Sequence, residues 1–163
     1  MSIDPRLAPL ADLLALNTRL LVNCLDGVDD ALARRRLTPD SNHLAFLTAH
    51  VADARHFIAR TLGIAIENPL ASQMEYGKTL DEIGELPPIA ILVAEWQRVS
   101  THLAASMPTV TAMTLDADSG LRFPVADRSV LGATTFLVQH DSYHLGQMSL
   151  LRRQLGLPGM RYT

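Results

Sequence analysis

Four stretches of about 20–28 residues repeat apolar side chains at intervals of three and four, and each is bounded by proline or glycine. The first runs from about Pro5, suited to a first helical turn, to Asp26-Gly27, where glycine suits a C-terminal cap. A short helix follows over Asp29 to Leu37. The second long stretch begins after Pro39, with Asp40 or Ser41 as its cap, and ends at Gly63. Pro87-Pro88 opens the third, which ends near Pro108. The fourth runs from about Ser129 to Gly156, stopped by Leu157-Pro158-Gly159. Between them, Ile64 to Leu86 reads mostly as loop. Thr109 to Arg128, with Asp116-Ala117-Asp118-Ser119-Gly120, reads as a long excursion with room for a small hairpin.

At 1.5 Å per residue, helices of this size span about 30–40 Å each. Such helices bury their apolar faces most completely against one another, so the expectation is an all-α four-helix bundle forming one domain over residues 1–163. The unequal connections argue against a plain up-down-up-down arrangement, and at least one is long enough to be a crossover. Composition agrees: 48% of residues are hydrophobic, and aromatics reach only 5%, which favours helices over a β-sandwich.

Net charge is −3 with no basic stripe, which speaks against nucleic acid as a partner. The longest uncharged run, Val99 to Leu115, contains His102 and Pro108 and makes a poor membrane span. The Met1-Ser2-Ile3-Asp4-Pro5-Arg6 start has no apolar h-region, so a cytoplasmic location is expected. A single cysteine, Cys24, excludes a disulfide framework within the chain and a Cys-based zinc cluster. It sits among Leu20, Leu21 and Leu25, as a small core residue would.

The first helix carries two apolar stripes. Leu7, Leu10, Leu14, Leu21 and Leu25 form one; Leu13, Leu16 and Leu20 form another, about 115° away at 100° per residue. A surface helix needs only one buried stripe. The second packs against another subunit, as in a homodimer, or lies deeper in its own chain.

Chemistry is most visible in the histidines. His140-Asp141-Ser142-Tyr143-His144 places two imidazoles at i and i+4, on one helical face, within reach of one ion. Ala133, Phe136, Leu137, Leu151 and Leu155 share or flank that face, so both rings should point inward. Buried imidazoles need partners, and a metal ion satisfies both at once; backbone or water would serve otherwise. A third ligand has to come from another inward face. His50 qualifies, flanked by Phe46, Leu47, Ala54 and Phe57. His43 lies two turns earlier on the same side, near the cap. His56 falls off that face beside Arg55, where a solvated role is expected, and His102 follows Trp96 as a core or rim residue.

Other reaction classes find less support. Tyr76-Gly77-Lys78-Thr79 resembles the end of a P-loop, but Ser72 stands where glycine is required and no strand precedes it. No G-x-S-x-G elbow is present, nor the paired Glu-x-x-His motifs of a di-iron bundle.

Two segments carry a family resemblance. Asn42-His43-Leu44-Ala45-Phe46-Leu47-Thr48-Ala49-His50 and His140-Asp141-Ser142-Tyr143-His144-Leu145-Gly146-Gln147-Met148 resemble the DinB/YfiT-like metalloenzyme superfamily, the second through its H-x-x-x-H-x-G-Q element. Asn17 and Leu37-Thr38-Pro39 are in keeping. The resemblance implies an up-down-down-up bundle, often homodimeric and damage-inducible, with His50, His140 and His144 as ligands of a divalent metal. It also implies relatives that act as transferases or isomerases using bacillithiol or mycothiol.

Three neutral imidazoles leave an ion at least one open position. Such an ion lowers the pKa of bound water to about 7 or binds a thiol as thiolate. Zinc is the conservative choice, and nickel, iron, copper or manganese also accept nitrogen donors. Gln147 and Asp53 are placed to orient the imidazoles or to serve as ordinary polar residues; Tyr143 is placed at the rim or in helix packing. The expected function is a metal-dependent enzyme activating water or a low-molecular-weight thiol for transfer or hydrolysis. The alternative is a non-catalytic, metal-bound stress-response or sensory protein.

Overall fold

A computed structural model describes residues 2–75 and 78–162. Its helices are α1 (Ala8–Cys24), α2 (Asp30–Ala33), α3 (Leu44–Thr61), α4 (Ile89–Ser106), α5 (Ala112–Asp116) and α6 (Val130–Gln154), with a 3₁₀ turn at Met107–Thr109. The described residues form no strand. The fold is an all-α bundle in which α1, α3, α4 and α6 are the long helices.

The four long helices lie where the apolar periodicity places them, with boundaries moved by local hydrogen bonds. α3 begins at Leu44 because His43, rather than Asp40 or Ser41, is its cap: His43 Nδ1 accepts the Phe46 N–H at 3.0 Å. The Ser41 hydroxyl is engaged one turn earlier, accepting from the Leu37 and Thr38 N–H groups. α2 is a single turn capped by Asp29, shorter than the expected Asp29 to Leu37 helix. Ser129 caps α6 through the Gly132 N–H at 3.2 Å, as expected. α3 and α6 both stop at glycines of positive φ, Gly63 and Gly156, so that the next N–H turns back onto a helix carbonyl.

Two connections differ in detail. Ile64 to Leu86 holds no helix among its described residues; Tyr76 and Gly77 of the P-loop-like stretch lie outside them. Thr109 to Arg128 contains α5, and one isolated bridge from Asp118 to Ser129, just past its end, stands in place of a small hairpin.

α1 packs on α4 and α6, and α3 packs on the same two, so α1 and α3 are diagonal partners. The core has two apolar clusters. One joins Leu20, Leu21 and Cys24 to the first half of α3, to Leu92 and Trp96, and to Leu145, Met148 and Leu151. The other joins Leu7, Leu10 and Leu14 to Ile58 and Ala59, to Leu103 and Met107, and to Leu137 and Val138. Fully burying each such side chain contributes about 1.5–3 kcal/mol. On α1 and its two caps, all five leucines of the first stripe are buried. The second stripe divides: Leu20 belongs to its own chain's core, Leu16 is half-buried, and Leu13 is 44% exposed.

Candidate metal centre

α3 and α6 lie side by side and contribute to both apolar clusters, and their contact brings the three inward histidines together. His50 projects from the middle of α3. His140 and His144 project one turn apart from α6. His50 Nε2 lies 3.2 Å from His140 Nε2, and His144 Nε2 lies 3.0 Å from it. One ligand atom from each of the three sits within 4.8 Å of the others.

This spacing suits a shared cation. Nitrogens held about 2.0–2.1 Å from one tetrahedral ion are about 3.3–3.4 Å apart, close to the distances observed. A single proton cannot bridge all three nitrogens, whereas one ion satisfies them together. Tautomer points the same way. His144 Nδ1 lies 2.7 Å from Gln147 Oε1, which accepts its N–H and leaves Nε2 with a free lone pair. His140 Nδ1 is buried and unpartnered among the described residues.

The rings are held in the form a metal needs. Burial, reinforced by His144 and His140, pushes the His50 pKa down to about 4. Burial and the neighbouring His144 push His140 to about 4. His144 is lowered by burial, against the opposing pull of Gln147. All three rings are therefore neutral at pH 7, the form in which an imidazole could bind a metal. The Phe46 ring stacks parallel to His50 at 6.1 Å and walls off one side.

The family model of the DinB superfamily matches residues 13–148. The chain belongs to the DinB superfamily. The match covers α3, and α6 as far as Met148, and with them all three histidines. No curated protein matches the sequence. DinB-like proteins are metal-binding, and the three-histidine cluster of this DinB chain could bind a metal ion.

The remaining candidates fall elsewhere in the DinB chain. His43 is consumed as the α3 cap. His102 is exposed and lies 3.1 Å from the Ala65 carbonyl oxygen. Asp53 accepts from Asn68 Nδ2 at 2.7 Å, with no hydrogen bond to an imidazole, and burial raises its carboxyl pKa from the ordinary value. Tyr143 is mostly exposed, its ring edge-on to His144. Cys24 is buried, and burial pushes its thiol up to about 11.

His56 corrects the sequence reading. It is buried rather than solvated, and its Nε2 lies 2.6 Å from Glu95 Oε1. Arg55 beside it is buried too, donating to Asp141 on α6, to Thr18 and Ser100, and to the Leu14 carbonyl. The reason is that α3 is covered by both α4 and α6, so positions off the triad face are still interior. Asp141 sits inside the His140–His144 motif, and that placement was the available signal for a buried partner.

Two of the three histidines open onto a cavity of about 1210 Å³. His50 and His140 form part of its wall, together with His56, Asp53, Arg60 and Arg122. This exceeds the roughly 300–1,000 Å³ typical of a site for one small molecule.

Proposed function

We propose that this DinB-superfamily chain is a metal-dependent enzyme that activates water or a low-molecular-weight thiol for transfer or hydrolysis, with His50, His140 and His144 as the ligands of a divalent ion, zinc being the conservative choice. One observation carries the reading. The histidine cluster is not sealed inside the bundle: His50 and His140 form part of the wall of a large cavity that also presents arginines. A structural or sensory ion would be served by a closed ligand shell.

When bound, the ion supplies an open coordination position and lowers the pKa of the water or thiol placed there. The chain's own groups do the rest. Gln147 keeps the His144 proton on Nδ1. Phe46 limits water on one side of His50. His56 is hydrogen-bonded to Glu95, which is itself held by two Arg98 contacts of 2.8 Å, so this imidazole keeps a fixed orientation at the cavity wall. The cavity volume is sufficient for a thiol and a second reactant together.

The same reading takes residues 1–163 as one domain of a cytoplasmic homodimer. Exposed Leu13 and Val22 on α1 and Tyr143 and Leu150 on α6 support the dimer. The core clusters join the later half of α1 and of α6 to the first halves of α3 and α4, which supports an up-down-down-up order.

The test is metal analysis of protein purified without chelator, followed by two assays on metal-loaded protein. One follows loss of free bacillithiol or mycothiol against 1-chloro-2,4-dinitrobenzene; the other follows hydrolysis of 4-nitrophenyl acetate. Turnover in either that is lost in His50→Ala supports the enzyme. Metal bound at one per chain with no turnover in either assay would favour the sensory reading.

A further inference from the structure

All four phenylalanines of this aromatic-poor chain, Phe46, Phe57, Phe123 and Phe136, line the one cavity beside the triad. Three of them, Phe57, Phe123 and Phe136, are only half-buried. Phe123 stacks on Phe136 at 4.5 Å and meets Phe57 edge-on at 6.2 Å. A bundle that merely needed core volume would bury such rings fully. Half-covered rings converging from a loop and two helices form a wall that favours an apolar body against it.

The wall has two chemically different ends. Phe136 lies one helical turn before His140. Phe57 lies seven residues after His50, about 10 Å along α3 at 1.5 Å per residue. Beyond it, the Arg60 guanidinium sits over the Phe57 ring, 4.6 Å from its centre. Arg122, next to Phe123 in the loop before α6, lines the same cavity. The other charges of the lining are engaged. Lys78 pairs with Glu75 at 2.8 Å. Asp53 is bonded to Asn68 and lies in the field of His56 and Arg60 without a direct ion pair to either, and burial raises its pKa. Glu67 lies in the field of Arg98. Among the described residues, Arg60 and Arg122 make no ion pair with an acid.

We propose that the cavity binds an organic carboxylate with an apolar, aryl-sized body. Its carboxylate lies on Arg60 and Arg122, its body on the Phe57–Phe123–Phe136 wall, and its other end towards His50 and His140. The proposal rests on the reading of the triad as the reactive end. A guanidinium presents a planar fork that matches a carboxylate, and apolar surroundings strengthen that pairing.

The test uses 4-phenylbutyrate, with 4-phenylbutylamine and 4-phenyl-1-butanol as matched probes, by calorimetric titration of the full chain. The carboxylate should bind at least about tenfold tighter than either control. Arg60→Met with Arg122→Met should remove that preference, with helical circular dichroism unchanged because both residues are on the surface. Phe123→Ser should weaken all three probes together. The titrations are run on metal-loaded and metal-stripped protein. Preference retained after stripping places the carboxylate at the arginines, whatever the triad does. Preference lost on stripping but kept in the double arginine variant would put the carboxylate on the metal and overturn the proposal. Equal or tighter binding of the amine would overturn it as well. Metal content measured on the same samples reports separately on the triad.

Discussion

Arg55 on α3 and Asp141 on α6 form an ion pair closed to solvent, and it ties together the two helices that carry the histidine triad. Arg55 is five residues from His50, and Asp141 is next to His140. The Arg55 guanidinium also lies 4.0 Å over the Trp96 ring and reaches hydroxyl and carbonyl oxygens of α1 and α4. One side chain thereby fixes the depth of all four long helices at the level of the site.

Removing one partner should leave an uncompensated buried charge. Asp141→Leu is expected to destabilise the fold by about 3–5 kcal/mol. Arg55→Met with Asp141→Leu should lose less than the sum of the two single variants, since the pair is removed together. Urea unfolding of the singles and the double measures the coupling. Simple additivity would mean that the pair does not act as a unit.

Metal release should follow protonation of the imidazoles. Burial lowers His50 and His140 to about 4, below the ordinary value of about 6.5. Between these values the unfolded chain takes up protons that the folded, metal-free chain does not. Metal-free stability should therefore fall as pH drops through that window, with a shallower slope in His50→Gln. Bound metal should stay near stoichiometric at neutral pH and be lost to chelator as pH approaches about 4. A pH series of dialysis with metal analysis checks this. Full retention at the acid end would show that the histidines are not the ligands.

Metal binding and folding should separate. His50→Ala removes one of three imidazoles, while both apolar clusters remain intact above and below the site. Helical circular dichroism should match the parent, with metal well below one per chain. Gln147→Leu frees the His144 tautomer and should weaken metal about 10–100-fold without altering the fold. His102→Ala, on an exposed side chain outside the triad, is the matched control. His50→Ala binding metal as tightly as that control would dissolve the triad assignment.

The proposed dimer has a specific signature. Leu13 is 44% exposed whereas Leu20 is buried in its own chain, so the two positions should respond differently to charge. Light scattering of the parent should give twice the 17.8 kDa chain mass. Leu13→Glu should yield a folded monomer if α1 forms the contact. Leu20→Glu should instead unfold the chain. A parent mass of one chain at micromolar concentration would end the dimer proposal.

The four long helices, and the inward direction of His50, His140 and His144, were legible in the amino-acid order. Helical spacing is a local property: residues four apart share a face whatever the helix packs against. Gly63 and Gly156 marked real helix ends for the same reason, as a positive φ is a requirement of one residue. The environments of Arg55 and His56 were not legible, because they depend on α3 being covered from two sides. A one-face pattern records that a helix is buried, not how many neighbours bury it. His43 likewise became a cap through the turn that Ser41 closes. The cavity could not be read at all. Its wall draws Phe57 from α3, Phe136 from α6 and Phe123 from the α5–α6 loop, and only the packing of distant segments brings these rings within contact of one another.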